Sequence, residues 1–166
     1  KKASSKPYLL TTSISFFMRI LLVAATPFEI APLRVYLEQE FSCPDKDVYE
    51  QDGLQIRILI TGVGQMLTAY AMGYVLAQEH FDFAINAGVA GAYNRKLELG
   101  QVVNVESDCF GDLGAEDANG TFLSIHELGL IATDDPPFQA GYIQNPTAAN
   151  FDFLARVKGV TMNTVK

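Results

Sequence analysis

A run of small residues in the middle of the sequence could form the floor of a ligand-binding site. It contains Gly88, Ala90, Gly91 and Ala92, and it follows residues 83–86, which have the pattern of a short buried strand. Because these residues have little or no side chain, a ligand can approach the main chain closely there. Open α/β sheets also bind ligands at the carboxyl ends of their strands. A glycine-rich tight turn without a ligand is the alternative, and the pattern alone favours neither.

Glu29 is a candidate carboxylate at the end of another predicted strand. Residues 19–25 form a continuous apolar run, and Thr26-Pro27 then predicts a helix that begins with Thr26 as N-cap. Acidic side chains in the first turn of a helix commonly stabilise it, by about 0.3–1 kcal/mol. The other explanation is a carboxylate held over the end of the sheet. The residue pattern leaves both explanations open.

Other motifs that could bind a cofactor or a metal ion are incomplete. Gly62 and Gly64 lie between a strand and a helix, as in dinucleotide-binding proteins, but Leu67 occupies the third glycine position. The acidic residues between positions 108 and 117 lack the spacing and the closing glutamate of a calcium loop. Metal-ligand spacing is also absent among the cysteines and histidines, which are Cys43, Cys109, His80 and His126. The sequence therefore predicts no cofactor and no bound metal.

An alternation of strands and helices must position these residues. Strands are predicted near residues 19–25, 54–61, 83–87 and 100–106, and a helix is predicted from about residue 65 to residue 78. Buried apolar strands that alternate with helices imply an α/β fold, in which a parallel-rich sheet is covered on both faces.

Residues 1–17 differ from the rest of the chain. Lys1, Lys2 and the apolar stretch after them faintly resemble a signal sequence, but serines and threonines interrupt the stretch and no small-x-small cleavage site follows. We expect residues 1–17 to be a disordered or non-native extension, and residues 18–166 to form a single domain. The sequence has no run of about 18 apolar residues, so it predicts no transmembrane helix.

The net charge of the chain limits the classes of partner that it is expected to bind. The formal net charge is -7 and the isoelectric point is about 4.7. Nucleic acids and anionic membranes both require a basic surface, so neither is an expected partner, and a small neutral or cationic ligand is easier to accommodate. The two cysteines are far apart in the sequence and indicate reduced thiols in a cytoplasmic protein.

Five blocks resemble the futalosine hydrolases, of the nucleoside phosphorylase and nucleosidase superfamily. They are R-I-L-L-V-A-A-T-P-F-E-I-A-P-L at 19–33, T-G-V-G-Q at 61–65, N-A-G-V-A-G-A at 86–92, L-G-Q-V-V-N-V at 99–105 and D-L-G-A-E-D at 112–117. The last block, with E-L-G-L at 127–130, is typical of the futalosine branch. The resemblance implies a three-layer α/β/α sandwich with a mixed central sheet. It also implies release of hypoxanthine from futalosine, in a route of menaquinone biosynthesis.

Relatives within the superfamily supply the alternatives in function. These are methylthioadenosine/adenosylhomocysteine nucleosidase and nucleoside phosphorylase. A nucleoside-binding protein without catalysis is the alternative from another class.

The resemblance also implies roles for individual residues. Glu29 lies at the position of the glutamate that binds and activates the attacking water, beside an oxocarbenium-like transition state. Val89 occupies the place where phosphorylases present a serine hydroxyl to phosphate, so water is the expected nucleophile. The implied substrate-binding set consists of Thr26, Val63, Gly64, Gly88, Val89, Ala90, Gly91, Thr164 and Val165.

The same resemblance implies two further properties. Family members continue into a segment with a glutamate that holds the ribose hydroxyls and an aspartate that helps protonate the purine. Neither residue is matched here, so we expect this chain to be C-terminally incomplete and to have negligible turnover. Superfamily members are homo-oligomers, and the apolar-rich loop at residues 136–142 would need cover, so we expect self-association.

Overall fold

The computed structural model describes residues 18–163. In this range the chain forms two compact units, which divide between Val89 and Ala90. The expected extension at residues 1–17 lies outside the described residues, as do the predicted substrate-binding residues Thr164 and Val165. The single domain expected for residues 18–166 stays a prediction.

The first unit is a mixed five-stranded sheet with two helices. Its elements are β1 (Met18–Ala24), α1 (Ala31–Glu40), β2 (Ser42–Asp45), β3 (Val48–Gln51), β4 (Leu54–Ile60), α2 (Gln65–Leu76) and β5 (Phe83–Asn86). The strand order is β2-β3-β4-β1-β5. Strand β1 pairs in parallel with β4 and β5, whereas β3 is antiparallel to β2 and β4. The predicted mixed sheet is confirmed.

Neighbouring residues of β1 belong to two separate buried clusters. Leu22 shares one cluster with Leu37 of α1, and Val23 shares the other with Val75 of α2. Because successive side chains of a strand point to opposite faces, the two helices cover opposite faces of the sheet. This arrangement confirms the predicted three-layer α/β/α architecture.

The second unit contains a four-stranded sheet and a hairpin. Its elements are β6 (Val103–Asp108), β7 (Gly114–Glu116), β8 (Phe122–Ser124), β9 (Phe138–Gln139), β10 (Tyr142–Gln144), a 3₁₀ helix (Ala148–Phe151) and β11 (Ala155–Lys158). The sheet order is β11-β6-β10-β9, in which only β11 and β6 pair in parallel. Strands β7 and β8 form the antiparallel hairpin.

The helix start predicted at Thr26-Pro27 is wrong. Helix α1 begins at Ala31, with Ile30 at the N-cap position and a proline in the first turn, while residues 27–30 form a turn. Thr26 lies four residues before this N-cap position, and its hydroxyl donates a hydrogen bond to Glu29. Pro32 suits the first turn of a helix, because its missing N–H would have no intrahelical partner there.

The loop at residues 136–142 does not need cover from another molecule. Its largest apolar side chain, Phe138, is 6% exposed and packs edge-on against His126 and Phe110 of the same unit. The reason given for self-association from this loop is therefore wrong. Among the described residues, no helix has the length and apolar character needed to cross a membrane.

Candidate active site

Three loops meet at one edge of the first sheet. They follow the carboxyl ends of the parallel strands β1, β4 and β5. The Ala87 N–H donates to the Val23 carbonyl oxygen at 2.8 Å, and the Thr61 N–H donates to the Ala24 carbonyl oxygen at 3.0 Å. These bonds continue the parallel pairing past the strand ends. The edge so formed is the one at which open α/β sheets bind ligands.

Glu29 connects two of these loops through its carboxylate. Its Oε2 atom accepts hydrogen bonds from the Thr26 backbone N–H at 2.8 Å and from the Thr26 hydroxyl at 3.2 Å. Its Oε1 atom accepts one from the Val89 backbone N–H at 3.2 Å. Donors from the loops after β1 and β5 therefore hold the half-buried carboxylate at the edge of the sheet.

Thr26 has a positioning role that the sequence interpretation did not identify. It was expected to cap a helix, whereas the structure shows it as a donor to Glu29. Its role in substrate binding stays a prediction. The T-x-x-E spacing could have indicated this contact. In a capping box, a glutamate three residues after a threonine accepts a hydrogen bond from the threonine N–H.

The hydrogen bonds to Glu29 favour its charged form. Burial acts to raise the pKa of Glu29, but the N–H groups of Thr26 and Val89, the Thr26 hydroxyl and the Ala25 N–H together lower it below its ordinary value. The side chain is therefore a carboxylate at neutral pH. A carboxylate of low pKa accepts a hydrogen bond from water and stabilises nearby positive charge, but it is a weak base.

Gly88 leaves room for the Glu29 carboxylate in its observed position. A Cβ atom at residue 88 would lie 2.9 Å from the Glu29 Oε1 atom, which is too close for an undistorted contact. A Cβ atom at Gly91, in the second unit, would have no neighbour within 4 Å. The close approach at Gly88 is thus made by the candidate catalytic carboxylate. Val89 and Ala90 are exposed.

The glycines after β4 have a structural explanation. Gly62 and Gly64 have φ angles of 85° and 101°, which L side chains rarely adopt. A Cβ atom at Gly62 would also lie 2.9 Å from a methyl carbon of Leu67, the residue at the missing third glycine position. Val63, between them, is 72% exposed. The G-x-G motif therefore forms the turn into α2 and presents Val63 to solvent.

Asp117, in the acidic stretch of the second unit, closes a turn. Asp117 accepts hydrogen bonds from the N–H groups of Asn119 and Thr121 at 2.8 and 2.9 Å. These bonds lower the pKa of the Asp117 carboxyl. Between residues 18 and 163, no group of three or more acidic, histidine or cysteine side chains could hold a metal ion.

The lowered pKa of Glu29 predicts a dependence of stability on pH. Because the pKa is lower in the folded chain than in the unfolded chain, the stabilisation is fully present above the unfolded value of about 4.3, and it is lost as the pH falls through the folded value. Urea unfolding of the chain and of Glu29→Gln should therefore show a stability difference that shrinks below about pH 4.3. Glu40→Gln, at the exposed end of α1, is the matched control. A constant difference between the chain and Glu29→Gln across this pH range would contradict the prediction.

No protein-family profile matches the sequence, and no curated protein matches it. Solved structures do match. The 5'-methylthioadenosine/S-adenosylhomocysteine nucleosidase of Neisseria meningitidis, in complex with methylthio-immucillin-A, has a TM-score of 0.59 at 19% identity. The match covers 89% of this chain and 66% of that one.

Two further nucleosidases of the same kind are similar to the chain. That of Campylobacter jejuni has a TM-score of 0.62 at 16% identity, over 90% of this chain and 66% of that one. That of Streptococcus pneumoniae, in complex with 8-aminoadenine, has a TM-score of 0.61 at 20% identity, over 89% and 65%. This chain spans just under two thirds of the length of each of these enzymes. The similarity shows that it has the nucleoside phosphorylase/nucleosidase fold.

Proposed function

We propose that this chain is a nucleoside N-ribosyl hydrolase in which Glu29 orients the attacking water. One observation carries the proposal: donors from two loops hold the Glu29 carboxylate at the carboxyl edge of the parallel strands. The similar structures are named as nucleosidases, and two of them contain nucleoside or purine analogues. Site and fold thus support the same class of reaction.

The charge state of Glu29 suits the chemistry of ribosidic cleavage. As the bond between base and ribose breaks, the ribose develops an oxocarbenium-like positive charge, which a nearby carboxylate stabilises. Water then adds to the cationic carbon and loses a proton, so a weak base held in position is sufficient. The departing base needs a proton as well. By the family resemblance an aspartate supplies it, and we assign that role to no residue of this chain.

We propose futalosine as the substrate and hypoxanthine as the released base. The blocks D-L-G-A-E-D and E-L-G-L support the futalosine branch. Methylthioadenosine or adenosylhomocysteine is the second candidate, because the similar structures reported above are nucleosidases named for those substrates. Val89, which has no hydroxyl to offer phosphate, favours hydrolysis over phosphorolysis.

Product release tests the function directly. Hypoxanthine from futalosine, and adenine from methylthioadenosine and adenosylhomocysteine, would be measured with the 166-residue chain and with the complete reading frame that encodes it. We expect hypoxanthine to be released from futalosine, and adenine to be released more slowly from the other two substrates. Phosphate-dependent release would indicate a phosphorylase. Nucleoside binding without release by either form would favour the non-catalytic alternative.

We further propose that the protein self-associates through α2. Three side chains at four-residue spacing form an exposed apolar stripe on this helix, and Met66, Tyr70 and Tyr74 are 83%, 74% and 61% exposed. Contiguous apolar stripes rich in tyrosine and methionine are typical of protein interfaces. Light scattering should show a defined oligomer at micromolar concentration that Tyr70→Glu dissociates. A monomeric wild-type protein would contradict this.

The proposed partners are therefore a small nucleoside and further copies of the same chain. A net charge of -7 argues against nucleic acid and anionic membrane surfaces. Cys43 and Cys109 are both free cysteines, which is compatible with the reducing cytoplasm that we propose as the location.

A further inference from the structure

A groove in the second unit brings two basic side chains next to a tyrosine ring. It has a volume of about 450 Å³ and lies beside β6, β10, β11 and the 3₁₀ helix. Small-molecule sites typically have volumes of about 300–1,000 Å³. Its lining includes the side chains of Glu106, Tyr142, Gln144, Arg156 and Lys158. The sequence interpretation gave none of them a role in binding, because no motif links Glu106 and Tyr142 to the two cations of β11.

The two cations of the groove are free to bind an anion. Arg156 and Lys158 are two residues apart on β11, both line the groove and both are exposed. Within residues 18–163 neither forms an ion pair, whereas Arg19 and Arg34 of the first unit are each paired with a carboxylate. The Lys158 ammonium lies 5.4 Å from the centre of the Tyr142 ring, so a cation–π contact holds it beside an aromatic surface.

We propose that this groove binds a small organic oxyanion, with its carboxylate or phosphate group on Arg156 and Lys158 and its apolar body against Tyr142. The guanidinium fork of arginine matches the geometry of both oxyanions and can bind either in a bidentate manner. Glu106 lines the same groove, so a ligand with one anionic group is favoured over a polyanion. The neutral or cationic ligand expected from the net charge does not apply here, because binding depends on the charges that line the groove. The proposal is independent of the nucleosidase function.

Titration with small probes tests the groove. Benzoate, inorganic phosphate and the uncharged analogue benzamide would be added to the 166-residue chain, with binding followed by calorimetry and by NMR of Tyr142. We expect at least one of the two anions to bind saturably and benzamide not to. Tighter binding of benzoate would identify a carboxylate ligand, and tighter binding of phosphate would identify a phosphate ligand. If neither anion saturates at millimolar concentration, the proposal is overturned.

Substitutions locate the site. Arg156→Gln should weaken binding of the anion about tenfold, since it removes charge-assisted hydrogen bonds, and Arg156→Lys should restore part of the loss. Arg95→Gln, at an exposed arginine of the same unit outside the groove, should leave the affinity unchanged. Equal losses in Arg156→Gln and Arg95→Gln would indicate nonspecific attraction and would refute the proposal. Circular dichroism reports whether each variant folds. Lys158→Met provides a second groove variant whose affinity for the anion can be compared with that of Arg95→Gln.

Discussion

Glu29→Gln is expected to lower the rate of ribosidic-bond hydrolysis by about a hundred- to ten-thousandfold, the usual contribution of a general acid–base group. The amide keeps the size of the side chain but removes the negative charge that stabilises the cationic ribose and orients the water. It also puts an amide where a carboxylate accepts hydrogen bonds from Thr26 and Val89. The measurement is kcat for hypoxanthine release from futalosine by the complete product of the reading frame.

The matched control for this substitution is Glu40→Gln, which makes the same chemical change at the exposed end of α1. We expect it to leave kcat unchanged. If Glu29 only stabilised the turn before α1, Glu29→Gln would cost a few tenths of a kcal/mol of unfolding free energy, as a typical surface change near a helix start does, and kcat would be retained. Full activity in Glu29→Gln would therefore remove Glu29 from the mechanism.

Gly88→Ala is expected to lower kcat by about ten- to a hundredfold, because small misplacements of a catalytic group are costly. The new Cβ atom would lie 2.9 Å from the Glu29 Oε1 atom, so the carboxylate must move and its 3.2 Å bond from the Val89 N–H must lengthen. Loss of this donor should also raise the pKa of Glu29 towards its ordinary value. Both changes can be measured, the first by steady-state kinetics and the second by NMR titration of the Glu29 carboxyl group.

Stability should change little in Gly88→Ala, because the clash is with the end of a side chain that can rotate away. Gly73→Ala is the matched control, since a Cβ atom there meets nothing within 4 Å. Residue 73 lies inside α2, so this change should stabilise the chain by about 0.5–1 kcal/mol and leave kcat unaltered. A Gly88→Ala protein with the wild-type kcat and the wild-type Glu29 titration would show that the carboxylate tolerates displacement.

Local patterns in the sequence were sufficient to predict the main elements of the first unit. The apolar run after Met18 predicted β1, and the strands expected at residues 54–61 and 83–87 appear as β4 and β5 within one residue at each end. Buried parallel strands require continuous apolar sequence, so their positions are encoded locally. The strand expected at residues 100–106 is shifted to Val103–Asp108. That sequence is less apolar, and its boundaries depend on pairing with β10 and β11.

The sequence by itself thus predicted the fold class and the carboxyl ends of the strands as the place of a site, whereas Glu29 became the candidate carboxylate only through the family resemblance. Only the tertiary structure decided how Glu29 is held, because the Val89 N–H comes from a residue 60 positions away. No sequence pattern at either residue predicts that contact. The tertiary structure also decided that Phe138 is covered by Phe110 within its own unit and that Arg156 and Lys158 share a groove with Glu106 and Tyr142. Each of these features depends on side chains that are distant in sequence and adjacent in space. Periodicity and spacing along a chain report only on local neighbours.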